Sequence, residues 1–144
     1  MGEIVLAFFG SLLPAILYNV NKRHFFWVGL SGVSGWMIYS WLYSDTGQVI
    51  VSTFAGAVAV GVFSESMARA LKVPATVFSV CGIFPLVPGI GAYNTVQAIV
   101  ENNLEKAAGV AVETIASAGS IALGIMFASA LFRVLSRMGQ GGSN

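Results

Sequence analysis

Charge is scarce in this sequence. Seven basic and six acidic residues make up 9% of its 144 positions, where a soluble domain carries about a quarter. Cysteine is rarer still. Cys81 stands alone, which excludes an internal disulfide and leaves the redox compartment open; it reads as a small apolar packing residue. The single histidine, His24, lies beside Lys22 and Arg23. It reads as an interfacial polar residue, at the wrong depth to act as a base inside a membrane. HExxH, a glycine-rich phosphate loop and GxSxG are all missing, and so is an aspartate pair. These absences point away from an enzyme, and no cofactor or metal is expected. The net charge of +1 comes with no basic patch interleaved with aromatics, so no nucleic acid partner is expected.

What the chain has instead is apolar length. The charges leave free runs at 4–21, 24–44, 46–64, 73–100 and 114–132, each of 18 residues or more. An apolar helix of roughly 20 residues crosses a hydrocarbon core about 30 Å thick. With 56% hydrophobic residues and a mean hydropathy of +0.82, the chain reads as an all-α polytopic protein of the cell membrane, contacting membrane lipid. Five transmembrane helices are expected, at about 4–20, 25–43, 49–70, 75–100 and 108–132. They form a single domain over 1–138, with a flexible tail at 139–144. Strands are excluded by run length and by the lack of two-residue alternation. The first segment has an acidic start at Glu3 and no small-residue cleavage site, so it is expected to stay in the protein. Leu6 replaces the Ser or Thr that a myristoylation signal requires.

Basic residues sort the joints. If five spans alternate, Lys22, Arg23, Arg69, Lys72, Arg133 and Arg137 share one side and only Lys106 lies on the other. The positive-inside rule then puts the N-terminus outside and the C-terminus in the cytoplasm. Phe25, Phe26 and Trp27 at one end of the second span, and Trp41 and Tyr43 at the other, read as interfacial belts.

The fourth span departs from the pattern. Its 28 charge-free residues would make a straight helix about 42 Å long, longer than the bilayer core. Near its centre lie Pro85, Pro88, Gly89 and Gly91. Prolines three apart cannot sit in a regular helix. Backbone groups freed at membrane depth are tolerated only inside protein or facing water. Broken helices of this kind form substrate and ion sites in transporters; the alternative is a plain proline kink, common in membrane helices. Tyr93, Asn94, Thr95 and Gln97 follow at once and add hydrogen-bonding groups. The candidate substrate-binding residues are therefore Pro85, Pro88, Gly89, Gly91, Tyr93 and Asn94.

Two carboxylates fall inside expected spans. Glu113 shares a helical stripe with Gly109, Ser117, Ser120, Gly124 and Ala128, and Glu65 shares one with Ala57, Gly61 and Ala68. Small-residue stripes are helix–helix contact faces, so both carboxylates are expected to look into protein. Glu113 lacks a counter-ion within one turn and is a candidate for proton coupling. Glu65 has two open readings: proton coupling, or an interfacial pair with Arg69 at i+4.

Ile83-Phe84-Pro85-Leu86-Val87-Pro88-Gly89-Ile90-Gly91-Ala92-Tyr93 resembles the signature of the threonine/serine exporter (ThrE) superfamily. Five spans, a broken fourth and a final span rich in Ala, Ser and Gly resemble its short YjjB-type members, which correspond to the C-terminal half of the full exporter. Pro85, Pro88, Gly89, Gly91 and Tyr93 carry over to signature positions; Glu65 and Glu113 do not. The resemblance implies export of small hydrophilic metabolites, either threonine/serine-type amino acids or a dicarboxylate, driven by the proton gradient. It also implies a hetero-oligomer with a five-span subunit carrying the N-terminal half, whose hydrolase-like motif is absent here. Homo-oligomers are a further expectation for so small a bundle. The competing reading is a non-transporting scaffold subunit that stabilises a larger membrane partner.

Overall fold

The computed structural model describes residues 2–140. Six α-helices follow in order: α1 (Gly2–Leu17), α2 (Phe25–Thr46), α3 (Val49–Leu71), α4 (Thr76–Gly82), α5 (Gly89–Val100) and α6 (Leu104–Gln140). Short 3-10 turns at Lys22–His24 and Phe84–Leu86 join α1 to α2 and lie between α4 and α5. There is no strand among the described residues. The end of α6 takes in Gly139 and Gln140, so part of the expected tail is helical. Residues 141–144, the rest of it, lie outside the described residues.

Length and composition support fewer crossings than the charge pattern suggests. Val49–Leu71 and Leu104–Ser136 are each long and apolar enough to cross a membrane, and α4–α5 adds a third crossing if the bent pair is one span. At 16 residues, α1 is apolar but spans only about 24 Å. It stops at Leu17, short of the expected end, because Asn19 turns left-handed (φ 52°). With 22 residues α2 has the length, but its Gly, Ser and Tyr content dilutes it.

Helix ends follow one rule. α1, α2, α3 and α5 each end at a residue with positive φ: Asn19, Gly47, Lys72 and Asn102. Such residues let the next amides reach back to orphan carbonyls. The Val20 amide bonds the Ala15 carbonyl at 2.9 Å, and those of Val73 and Asn103 bond Ala68 and Ala98 at 3.1 and 2.9 Å. Asn and Gly tolerate this geometry readily; Lys72 is the exception.

The bundle is organised around α3, which packs most extensively on α6 and next on α2. Small residues make this possible. A Cβ on Gly124 would sit 2.8 Å from both the Phe54 carbonyl oxygen and the Ala57 Cβ, and one on Gly61 would sit 2.5 Å from the Ala128 Cβ. The backbones therefore meet without intervening side chains, which is how helices gain packing energy in lipid. Ala57, Val60, Leu86 and Ile121 bury one core at this junction. Ala15, Val28, Phe78 and Cys81 bury a second among α1, α2 and α4. Buried hydroxyls link them: Ser31 Oγ donates to the Phe78 carbonyl at 3.2 Å and lies 3.4 Å from Ser64 Oγ.

Gly124→Val is expected to lower the thermal midpoint in detergent, at a cost of about 1–3 kcal/mol from overpacking against backbone. The neighbouring exposed Gly119 has nothing within 4 Å of a built Cβ, so Gly119→Ala should leave that midpoint unchanged or raised.

Candidate functional site

The break between α4 and α5 is an accounting problem for backbone hydrogen bonds. α4 ends at Gly82, the chain makes one 3-10 turn through Pro85, and α5 starts again at Gly89, bent by 48°. Pro85 and Pro88 have no amide hydrogen to give. Leu86 and Val87 bond back to Ile83 and Phe84 at 2.8 and 3.3 Å, and Val87 is extended (φ −61°, ψ 128°). At the start of α5 the Gly89 amide bonds the Val87 carbonyl at 2.7 Å and Ala92 bonds Pro88 at 3.1 Å. The amides of Ile90 and Gly91, in the first turn, have no backbone partner among the described residues, as helix starts dictate. They give the start of α5 a partial positive charge. The buried Leu86 anchors the break in the α3–α6 core.

A groove of about 470 Å³ lies against this break, within the range of small-molecule sites. Its floor is the chain from Pro85 to Gly91, with Asn94 one turn on; α6 contributes Val110, Glu113, Thr114 and Ser117; Trp36 and Tyr39 of α2 and Val49 and Thr53 of α3 close the far wall. Gly91 is required here for space. A Cβ at that position would run into Thr114 Oγ1, which is held toward the Val110 carbonyl at 2.7 Å. Gly89 has no such constraint, with nothing within 4 Å.

The structure brings Pro85, Pro88, Gly89, Gly91, Asn94 and Glu113 to one groove. Tyr93 does not join them. Its side chain is 67% exposed and lies off the groove wall, since it sits two residues from Gly91 and so on another helix face. Thr95 and Gln97 are spent on their own helix, bonding the Gly91 carbonyl and the Glu101 carboxylate at 2.8 and 2.9 Å.

Glu113 corrects an expectation, and Glu65 loses one of its two readings. Glu113 is exposed rather than turned into protein. The small stripe is covered from Ser117 onward, but above it Gly109 is also exposed, and Glu113 stands at the edge of the covered region, facing the groove. No hydrogen bond or ion pair engages it among the described residues. Glu65 is half-buried and lies 12 residues beyond Thr53 on α3, about 18 Å from the groove along the helix. Arg69 does not pair with it. The guanidinium donates to the Phe132 carbonyl at 3.1 Å and sits 5.0 Å from the centre of the Phe132 ring, a cation–π contact across to α6.

Trp36 and Tyr39 were not legible as site residues. They continue into Tyr43 as an aromatic ladder along α2, with centroids 5.3 and 5.7 Å apart and the two tyrosines stacked. The signal was present as aromatics at i, i+3 and i+7, a one-face spacing, but interfacial belts draw on the same residue types.

A family model described as "Threonine/Serine exporter, ThrE" matches residues 3–131. No curated protein and no solved structure matches the chain.

Gly91→Ala is expected to destabilise the α5–α6 pair by about 1–3 kcal/mol, and Thr114→Ala in the same chain should recover most of that loss, as coupled neighbours do. Gly89→Ala should be neutral or stabilising by up to about 1 kcal/mol. Thermal midpoints of the four proteins in one detergent check both statements.

Proposed function

The chain belongs to the threonine/serine exporter (ThrE) family, and from that premise we propose that it is one membrane subunit of a two-component exporter whose substrate groove is the one at the break. The observation that carries this reading is that one small groove is lined both by the start of α5, with its unpaired amides, and by the Glu113 carboxylate. The unpaired amides at the start of α5 offer donors and a positive helix end, which suit a carboxylate. Glu113, on α6, suits an ammonium group. A zwitterionic amino acid of the threonine/serine type presents both. A dicarboxylate would set its second anion against Glu113, so the amino acid is the better fit. Transport, not catalysis, is the activity.

In the proposed arrangement five segments cross the cell membrane with the N-terminus outside, α4 and α5 together forming the fourth. The shorter α1 crosses at the edge of the bundle, packed on α2 with its large apolar side chains outward, and the more polar α2 crosses between α1 and α3. The groove then opens in the outer half, since it takes the start of α3, the first turns of α6 and, from α2, Trp36 and Tyr39 in its second half. A complementary five-span subunit supplies the remaining walls, and Glu113 carries the proton. Glu65, outside the groove, is not part of this coupling step.

Two measurements test the proposal. Single cysteines at Asp45 and Asn103 should label from outside, and cysteines at His24 and Val73 from the cytoplasm; cytoplasmic labelling at Asn103 would overturn the five-span arrangement. In proteoliposomes holding both subunits, Glu113→Gln should assemble normally and keep substrate exchange at a raised half-saturation concentration, because the amide oxygen still accepts from the ammonium, while export driven by a pH gradient falls by at least about tenfold. Gradient-driven flux at the wild-type rate would remove Glu113 as the proton carrier.

A further inference from the structure

Two side-chain atoms among the described residues are buried without a hydrogen-bond partner: His24 Nδ1 and Trp36 Nε1. They are not equivalent. Histidine has two neutral tautomers and can leave a buried ring nitrogen bare as an acceptor, whereas the indole nitrogen always carries its hydrogen and can only donate. A buried donor with nothing to donate to bears the full cost of its lost hydration. His24 also lies at the α1–α2 joint, edge-on to Phe78, and away from the groove. Trp36 lines it.

Trp36 has a second distinction. Together with Pro85 it lines both the groove and a smaller cavity of about 230 Å³ on the other side, formed with Glu3, Leu6, Ala7 and Gly10 of α1. The indole and the first proline of the break thus form a partition between two cavities, each carrying a carboxylate: Glu113 in the groove and Glu3 beyond. Neither carboxylate accepts from the indole. The Tyr39 ring, 5.3 Å away at a 36° tilt, holds one side of Trp36, and Leu86 and Ile83 pack nearby in the same core. The ring is therefore held in place by packing alone, and its one polar atom is left over.

We propose that Trp36 is the residue by which the groove selects a carboxylate: its indole N–H, sealed while the Trp36–Pro85 partition is closed, donates to a substrate carboxylate oxygen when the partition opens. This rests on the groove being the substrate path. An anionic acceptor gives a stronger bond than a neutral one, and a site built to satisfy a buried donor rejects analogues that lack the acceptor. The orphaned donor makes the closed partition the less satisfied state, so a ligand bearing a carboxylate favours opening and one without it does not.

The test uses both subunits in proteoliposomes, with L-threonine as substrate and threoninol, which lacks the carboxylate, as competitor. Trp36→Phe keeps an aromatic ring in the core and removes the donor together with the indole's second ring, so threoninol serves as the control for lost packing. Its half-saturation concentration for threonine should rise about tenfold, with threoninol competition unchanged. An unchanged value for threonine, or equal shifts for both compounds, overturns the proposal. Should Trp36→Phe fail to assemble, the wild-type chain labelled with ¹⁵N in its tryptophan indoles, beside an unlabelled complementary subunit, gives a second reading. The Trp36 N–H resonance should move downfield saturably with threonine and stay in place with threoninol; a stationary resonance with threonine overturns the proposal. Gly91→Val separates this from the underlying reading. Normal export by Gly91→Val sinks the groove as the path. Blocked export there, with threonine handled normally by Trp36→Phe, sinks the role of Trp36 alone.

Discussion

Close backbone approach between α3 and α6 is the contact on which the rest of this bundle depends. Water supplies no hydrophobic drive between helices inside a bilayer, because lipid tails are as apolar as leucine. Helices there must hold together by shape. Gly61 against Ala128, and Gly124 against Ala57 and the Phe54 carbonyl, let two long helices touch along their backbones and fix α6 in position. α5 then docks on α6 through the space Gly91 leaves for Thr114, and the break hangs from the same core by Leu86. The groove is what remains where α6 runs past the region its neighbours cover.

The break itself combines rigidity with exposed polarity. Two prolines three residues apart remove two backbone donors and limit the conformations on either side. The turn between them is short, internally bonded and anchored by one buried leucine, so it is a defined corner, not a loose loop. Beyond that corner a helix restarts with unsatisfied amides in its first turn. Such a start is tolerated in a membrane only where it meets protein or water, and here it lines a groove that also carries the Glu113 carboxylate.

Much of this was legible in the sequence, and the remainder has physical reasons for being hidden. Pro85, Pro88 and the 28-residue apolar run forced a break, and the break is there. The stripes of small residues on α3 and α6 pointed to a packed face, and from Ser117 onward that face is packed. A stripe does not say where its cover ends, which is why Glu113 was expected inside protein and instead stands at the margin. Likewise, i+4 spacing offers Arg69 to Glu65, but the Phe132 ring and carbonyl give the guanidinium a better-shaped site from another helix. Tyr93 followed its motif neighbours in sequence but not around the helix. Trp36 was invisible as a site residue because an orphaned hydrogen-bond donor is a property of surroundings, not of residue type. The number of crossings is the least legible feature: α1 is brief, α2 is diluted by serine and glycine, and charge spacing alone treats them like α3.

The length of α6 has a geometric corollary. Its apolar stretch, Leu104–Ser136, is 33 residues, about 50 Å of helix in a hydrocarbon layer of about 30 Å. Such a mismatch is resolved by tilting or by letting the ends stand clear of the layer. Because α3, with 23 residues, nearly matches the layer and is clamped to α6 by glycines, both must share the tilt that the shorter helix allows. If α6 crosses as one span, its excess emerges at the ends, and Glu113, nine residues from Leu104, falls near one of them. A carboxylate so placed would stay connected to water, as the proton step proposed for it requires.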